Sequence, residues 1–301
     1  MSVLVHIGYH KTATSWLQER LFSGEAGLGW LRKGGGNPTR RLIDADPLTF
    51  DPAALRAEID PLLEEVRARG LQPVVSIERL SGHPFSGGYD VREIADRIAA
   101  VFPDGRVLAV VREQRSMIVS TYKQYIRAGG GGTIGEFLDP PRSKSLRVPL
   151  FDFRYFEYDR LLAYYRSLLR PERVRWLAFE QFVREPEDFV RAVAEFGGVH
   201  VDPAQLPLGE RENRAPSAAG LEAQRRRNRL GRRSELNPSP PLPGAVAALV
   251  PKALLRPRDR DAAESRLRET VERAVGDRYR ESNRRLAKLT GLDLGELGWT
   301  V

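Results

Sequence analysis

The chain opens with the apolar run Val3-Leu4-Val5-His6-Ile7, which passes into the polar stretch Gly8-Tyr9-His10-Lys11-Thr12-Ala13-Thr14-Ser15 and then into Trp16-Leu17-Gln18. A short apolar run that ends at a glycine is typical of a buried parallel strand. The residues that follow Ser15 have the composition of a helix. The first 22 residues therefore predict a strand, a polar loop and a helix, in that order.

The same alternation continues along the chain. Further apolar runs predict strands at 73–77, 107–111 and 174–179, and helical patterns lie at 55–66, 91–102, 116–127, 158–169 and 186–196. Within the first of these helices, Pro61 is expected to kink the helix or to begin its second half with Asp60 as the cap. Strands that alternate with helices predict an α/β fold of three layers, with a central parallel sheet covered by helices on both faces.

The pattern changes beyond residue 206. Residues 210–233 are polar and rich in arginine, 237–243 are rich in proline, and 262–289 predict one long amphipathic helix. No clear linker precedes these segments. We therefore expect a single domain over 1–301, in which an α/β core at 1–206 carries an appended C-terminal helical region at 207–301.

Composition excludes several classes of protein. The chain has 301 residues, no cysteine and four histidines, which rules out a disulfide scaffold, thiol catalysis and cysteine-ligated metal sites, and argues against a histidine-rich one. No apolar run approaches the length of a membrane span. The first apolar run is short and charge follows it at once, so we expect no signal peptide and a cytoplasmic protein.

The formal net charge is +8, and all but six of the 48 basic residues are arginine. Arginine suits the forked recognition of phosphate and sulfate groups. This balance fits a nucleic acid, a nucleotide or another anionic ligand, although codon bias and a solvated surface would give the same composition.

The loop after the first strand has the features of an anion site. Free backbone N–H groups at a helix N-terminus favour a phosphate group there. Lys11 adds a positive charge, and Thr12, Thr14 and Ser15 add hydroxyl groups that could bind the anion or cap the helix. The alternative is a surface lysine beside an ordinary capped helix.

This loop differs from the phosphate-binding loop of metal-dependent ATPases. It has no Gly-Lys pair, and the third predicted strand ends in Arg112 where those enzymes place an aspartate for the metal. An arginine at this edge attracts a second anion, and Ser120 could share that anion from the next helix. The alternative is that Arg112 forms a structural ion pair with a nearby carboxylate and that Ser120 has no functional role.

These motifs resemble those of the PAPS-dependent sulfotransferases, PAPS being 3′-phosphoadenosine 5′-phosphosulfate. The stretch Lys11-Thr12-Ala13-Thr14-Ser15 is similar to the family loop that binds the 5′-phosphosulfate, with Ala13 in place of the usual glycine. Arg112 and Ser120 match the arginine and serine that bind the 3′-phosphate. Phe179-Glu180-Gln181-Phe182 resembles a later strand-end motif with a structural role, and Ser282-Asn283 resembles the C-terminal helix of bacterial members.

A late loop also resembles the segment that closes over the nucleotide in this family. It reads Asn213-Arg214-Ala215-Pro216-Ser217, and it lacks the family's full glycine-rich pattern. The resemblance implies that Asn213, Arg214 and Ser217 contact the nucleotide. It also implies a P-loop-like α/β/α fold, PAPS as co-substrate, 3′-phosphoadenosine 5′-phosphate as product, and no required metal.

The implied reaction moves a sulfuryl group to a hydroxyl or amine of a small-molecule or carbohydrate acceptor. Lys11 would neutralise the departing 5′-phosphate. The base that deprotonates the acceptor is expected to be Glu78, then His83, then His10. For Glu78 the alternative is an ion pair with Arg79 or Arg112.

The acceptor pocket cannot be read from the sequence. Mobile loops at 34–36, 81–89 and 129–149 are expected to shape it, and Arg142, Lys144 and Arg147 could recognise an acidic acceptor. The oligomeric state is open, and a homodimer is one expectation.

Three other functions stay open. A metal-dependent P-loop kinase or nucleoside triphosphatase would bind Mg-ATP, and an inactive member of the fold would only bind its partners. A nucleic-acid-binding protein would use the six arginines of residues 224–233, but no aromatic residue is interleaved with them. A solvated helix or a lid over the nucleotide explains that segment better.

Overall fold

Five parallel strands form the central sheet in the described part of the chain. The computed structural model describes residues 2–31, 37–140, 150–208, 218–238, 240–250 and 261–301. The strands are β1 (Leu4–His6), β2 (Leu28–Trp30), β3 (Gln72–Ser76), β4 (Arg106–Val111) and β5 (Val174–Ala178). Their order is β2-β3-β1-β4-β5, and every neighbouring pair is parallel. The carboxyl ends of β1, β3 and β4 therefore meet at one edge of the sheet.

The helices connect and cover these strands. They are α1 (Thr14–Trp16), which continues as a π-helical turn (Leu17–Leu21), α2 (Arg41–Asp44), α3 (Pro52–Ala68), α4 (Val91–Val101), α5 (Gln114–Arg127), α6 (Ile134–Leu138), α7 (Tyr158–Leu168), α8 (Phe179–Arg184), α9 (Pro186–Gly197), α10 (Ala218–Gly231), α11 (Gly244–Ala248), α12 (Asp261–Val275) and α13 (Arg280–Thr290). No helix among the described residues is long and apolar enough to span a bilayer.

Alternate residues of each strand enter two different cores. One core joins Val5, Val75 and Val107 to apolar residues of α3, α4 and α7. The other joins Leu4 and Val74 to residues of α1, the π-helical turn and α9. Because strand side chains alternate between the two faces of the sheet, helices lie on both sides of it. The predicted three-layer α/β/α fold with a central parallel sheet is confirmed.

Two features of the N-terminal half differ from the local sequence pattern. The sequence pattern did not indicate β2, whose three residues include Gly29. Helix α3 runs through Pro61 without a second start, and the Asp60 carboxylate accepts a hydrogen bond from Arg56 at 2.6 Å instead of capping a helix. Burial of Ile59 and Leu63 on either side of Pro61 holds the helix against the sheet despite the missing N–H group.

The predicted long helix at 262–289 is also wrong, because the chain breaks between α12 and α13. Gly276 has a φ of 50°, a left-handed conformation that ends a helix. Both helices still pack into the first core, through Leu267 and Val271 of α12 and Leu286 of α13. The C-terminal region is thus continuous with the core of the sheet.

A buried polar network lies where the chain leaves β1. The His6 Nδ1 atom is 2.8 Å from the Ser76 hydroxyl on β3, and Gln18 Nε2 donates to that same hydroxyl and to the Ser76 carbonyl at 3.0 Å. Trp30 Nε1 also donates to the Ser76 carbonyl, at 3.2 Å. The Ser76 proton has an acceptor only if it points to His6 Nδ1, which assigns the ring proton to Nε2. The network joins β1, β2, β3 and the π-helical turn.

Burial keeps the His6 ring neutral, since it lowers the pKa of His6 to about 3 from an ordinary value of 6.5. Below the ordinary pKa the unfolded chain binds a proton that the folded chain does not. The contribution of His6 to the free energy of unfolding is therefore fully present above its ordinary pKa of 6.5. It decreases on acidification toward the folded pKa, by about 1.4 kcal/mol per pH unit.

We predict that a His6→Gln variant loses less stability than the wild type between pH 7 and pH 5, by about 2 kcal/mol. Gln cannot take up a proton in the unfolded chain, so this contribution to the pH dependence disappears. The measurement is the free energy of unfolding in urea at several pH values, compared as slopes so that any loss common to all pH values cancels. Equal slopes of unfolding free energy against pH in the two proteins would contradict the conclusion that burial keeps His6 neutral.

Candidate active site

The loop between β1 and α1 contains two left-handed residues. Lys11 has a φ of 65° and Ala13 a φ of 63°, and no other residue apart from glycine has a positive φ in the described ranges. A backbone that turns this sharply aims successive N–H groups toward one point. Ala13 precedes the first residue of α1 and has no side chain that could cap the helix, so no N-cap side chain occupies the first N–H groups of α1.

Ala13 adopts this conformation at a cost. A β-carbon in the left-handed region crowds the following carbonyl, which costs roughly 1–2 kcal/mol. The sequence predicted that Ala13, in place of the family's glycine, would leave slightly less space against the backbone. The structure shows a strained backbone instead, which is held by the contacts of its neighbours.

Hydrogen bonds within the loop hold this shape. The Thr12 hydroxyl donates to the Tyr9 carbonyl at 2.5 Å, and the Thr14 hydroxyl lies 3.5 Å from the same oxygen. Both threonines are buried, whereas Ser15 is exposed. The Thr12 hydroxyl is therefore engaged in shaping the loop.

Gly8 leaves no room for a side chain. A β-carbon at this position would lie 2.7 Å from Thr14 Oγ1 and 2.8 Å from Cε1 of His6. The loop therefore rests directly on the buried His6 ring. This close approach connects the polar network below the sheet edge to the anion loop above it.

Arg112 lies beside Lys11. It follows β4, and its Nη1 donates to the Lys11 carbonyl at 3.4 Å. The guanidinium group lies over the ring of Phe179, 4.9 Å from the ring centre, and the Arg112 carbonyl accepts a hydrogen bond from Tyr158 at 2.9 Å. Burial lowers the pKa of Arg112, a shift that Glu180 partly offsets. A partly desolvated cation in this position is suited to bind an anion strongly.

Two glutamates beside Arg112 have structural roles. Glu113 caps α5 by accepting from the N–H groups of Arg115 and Ser116, both at 2.9 Å, and this cap starts the helix at Gln114 instead of the predicted residue 116. Glu180 accepts from the Glu113 N–H at 3.1 Å and from Trp299 Nε1 at 3.1 Å. Burial raises the pKa of Glu180. Glu180 thus joins α8, the N-terminus of α5 and the C-terminal segment.

Ser120 lies within α5, half-buried, in the second turn. Among the residues that the structure describes, no hydrogen bond of its hydroxyl is found. The geometry leaves this hydroxyl able to donate to a ligand bound beside α5.

His10 and Glu78 face each other across the sheet edge. Glu78 follows β3 after one residue, and His10 Nε2 is 4.0 Å from Glu78 Oε2. The Ser81 hydroxyl links the same two segments, because it is 3.3 Å from the Gly8 carbonyl. Arg79 forms its ion pair with Asp90. Two of the three candidate bases are therefore neighbours of Lys11 in space.

His83 lies further along the same segment. Its ring packs edge-on against Phe85, with ring centres 4.9 Å apart. Burial lowers the pKa of His83, and Arg79 lowers it further, whereas Asp90 and Glu235 oppose the shift. His83 is therefore neutral at pH 7, a state in which an imidazole can accept a proton.

Several predicted residues lie outside the described residues. Asn213, Arg214 and Ser217 of the late loop are among them, and so are Arg142, Lys144, Arg147 and residues 34–36. In the described ranges, no group of three or more histidine, aspartate or glutamate side chains could hold a metal ion.

The sequence offered Tyr9 and Tyr155, among other aromatic residues, as lining of the acceptor pocket or as core, but it did not indicate the contacts of Tyr158. Tyr9 packs against Tyr158, with ring centres 4.9 Å apart, and Tyr158 packs against Trp299 at 5.9 Å. Through its bond to the Arg112 carbonyl, Tyr158 connects these rings to the arginine. The sequence signal was the Tyr155–Tyr158 cluster before α7, but its partners are far away in the chain.

Comparison with known proteins supports this geometry at the level of a family. Residues 91–203 match the model of the sulfotransferase family. No curated protein shows significant sequence similarity to the chain.

Solved structures with similar chain traces are also sulfotransferases. A sulfotransferase from Alicyclobacillus acidocaldarius has 18% identity and a TM-score of 0.45 over 70% of this chain and 87% of its own. The sulfotransferase domain of the curacin biosynthetic pathway has 14% identity and a TM-score of 0.42 over 70% and 78%. The corresponding domain of the Synechococcus PCC 7002 olefin synthase has 14% identity and a TM-score of 0.39 over 89% and 93%.

The matched segment contains α4, β4, Arg112, α5 and β5, so it includes the arginine side of the site. In this segment, residues 91–203, the chain is similar to the sulfotransferase family.

Proposed function

We propose that this protein transfers the sulfuryl group of PAPS to a hydroxyl or amine of a small-molecule or carbohydrate acceptor. The observation that carries the proposal is the hydrogen bond from the Arg112 guanidinium group to the Lys11 carbonyl, which joins two basic residues from different loops at one sheet edge. Two separated cations beside open backbone N–H groups suit a nucleotide with two separate anionic groups.

The loop at 8–15 would bind the 5′-phosphosulfate through its N–H groups, Lys11, Thr14 and Ser15. Arg112 and the Ser120 hydroxyl would bind the 3′-phosphate. Asn213, Arg214 and Ser217 would close over the nucleotide from the C-terminal region, as part of one domain over residues 1–301. The identity of PAPS as the sulfuryl donor rests on the family resemblance.

The reaction is an in-line displacement at sulfur. The acceptor oxygen or nitrogen attacks the sulfur, the bond between sulfur and the bridging phosphate oxygen breaks, and 3′-phosphoadenosine 5′-phosphate leaves. Lys11 would stabilise the charge that develops on the departing phosphate. The acceptor's proton would pass to Glu78, with His10 beside it, and His83 is the next candidate base.

We predict that adenosine 3′,5′-bisphosphate raises the melting temperature by several degrees, whereas 5′-AMP has a much smaller effect. A ligand at about 100 times its Kd adds about 2.7 kcal/mol to the free energy of unfolding, and the 3′-phosphate should supply most of that affinity. The measurement is a thermal shift with and without Mg²⁺.

Arg112→Gln provides the matched comparison for this experiment. It should remove most of the difference between the bisphosphate and 5′-AMP, because it removes the cation assigned to the 3′-phosphate. If only Mg-ATP raised the melting temperature, the sulfotransferase proposal would be contradicted. That result would favour a kinase or nucleoside triphosphatase.

We predict that Lys11→Gln lowers kcat for sulfuryl transfer by about 10²–10³-fold and changes the Kd of the bisphosphate far less. The glutamine keeps the length of the side chain and removes the charge on the leaving phosphate. Lys11→Arg, which retains the charge, is the control. Near wild-type turnover in the glutamine variant would rule out the assigned role.

We predict that Glu78→Gln lowers kcat by about 10²–10⁴-fold and removes the acidic limb of the pH–rate profile. The glutamine keeps the shape of the side chain but cannot accept the acceptor's proton. His83→Gln is the parallel variant. If it removes the limb and Glu78→Gln leaves it intact, the base is His83.

A further inference from the structure

A cavity of about 790 Å³ lies between α10 and α11, away from the loop at 8–15. The residues that line it all come from these two helices and the turn after α10. They are Gly220, Ala223, Gln224, Arg227, Asn228, Gly231, Arg232, Arg233, Gly244 and Ala247. The cavity therefore coincides with the arginine-rich stretch at 224–233, to which the proposed function gives no role.

Three of the six arginines in this stretch form ion pairs. Arg225 and Arg226 both pair with Glu222, at 2.7 and 2.8 Å, and Arg229 pairs with Glu136 at 3.3 Å. Arg225 also donates to the Gly131 carbonyl at 3.2 Å, which fixes α10 to the loop after α5. These three side chains hold α10 in place, and their charges are neutralised.

The other three arginines line the cavity. Arg232 donates to the Arg127 carbonyl at 3.3 Å, and no ion pair of Arg227, Arg232 or Arg233 is found in the described part of the chain. None of the described lining residues is acidic. Among its described lining residues, the cavity thus has three guanidinium groups and no carboxylate.

The rest of the described lining consists of glycines, alanines and the two amides Gln224 and Asn228. Gly220, Ala223, Gly231 and Ala247 leave the space open, and α11 packs closely against Gly231. A volume of this size matches the pockets that bind drug-sized molecules. A ligand that fits both parts of the lining has an acidic group at one end and an apolar body.

Helix α5 separates the cavity from the anion loop. It begins beside Arg112 and ends at Arg127, whose carbonyl accepts the hydrogen bond from Arg232. A helix of 14 residues is about 20 Å long, so the two groups of cations lie at opposite ends of it.

We propose that this cavity is a second binding site, which takes an organic anion with a sulfate, phosphate or carboxylate group on an apolar body. Arg227, Arg232 and Arg233 bind the acidic group, and the glycines and alanines accept the body. A nucleic acid fits less well, because half of the arginines in the stretch are neutralised and the remaining three face a concave site.

The test compares 2-naphthyl sulfate with 2-naphthol by isothermal titration calorimetry. The two molecules share a flat apolar body and differ in the acidic group. The wild type should bind the sulfate with a Kd below about 1 mM, and at least tenfold more tightly than the alcohol. The double variant Arg227→Gln/Arg233→Gln should lose tenfold or more of the affinity for the sulfate.

Arg226→Gln is the matched control, since it removes an arginine of the same helix that does not line the cavity. It should leave the affinity for 2-naphthyl sulfate within twofold of the wild type. Adenosine 3′,5′-bisphosphate should not displace the naphthyl sulfate, and its own Kd should be equal in all three proteins. A failure of the bisphosphate to bind would count against the proposed function alone.

Three results would overturn the second site. They are no binding of 2-naphthyl sulfate by the wild type, an equal loss in the Arg226→Gln control, and competition between the sulfate and the bisphosphate. Tighter binding of a DNA oligonucleotide than of the naphthyl sulfate, lost in the double variant, would assign the arginines to a nucleic acid instead.

Discussion

The backbone between His6 and Thr14 makes a double left-handed turn, and the rest of the site depends on how this turn is held. The Thr12 hydroxyl closes it from inside, and Arg112 holds the Lys11 carbonyl from the neighbouring strand. The Tyr9 side chain extends into the core, where it packs against Tyr158. Since Tyr158 also donates to the Arg112 carbonyl, one aromatic contact joins the loop after β1 to the end of β4. The strain at Ala13 is therefore balanced by contacts with two other segments of the chain.

The same contacts explain which parts of the site the sequence could indicate. The order of strand, loop and helix is a local pattern, and the parallel sheet brings the ends of β1, β3 and β4 together by topology alone. Lys11, Glu78 and Arg112 could for that reason be placed at one edge before any coordinates. The periodicity of apolar residues also located α3, α4, α7 and α9 to within a few residues.

What the sequence could not indicate depends on partners that are distant in the chain or on a single residue. Glu180 is 119 positions from Trp299, and no local pattern reveals that they meet. The same holds for His10 and Glu78. Strand β2 is too short for a period of two to be seen, and the break at Gly276 interrupts a spacing that otherwise continues from α12 into α13. In each case tertiary contacts override or supplement the local signal.

The arginines of α10 show why charge counted along a sequence differs from charge available to a ligand. As a linear run, six arginines in ten residues indicate one continuous basic surface. A helix distributes them over its circumference, and those that face Glu222 and Glu136 are neutralised there. The other three line the cavity beside α11 and form no ion pair among the described residues, so their charge can act on a bound molecule. The chain thus has one group of basic residues at each end of α5. Each group can be changed by substitution without changing the other.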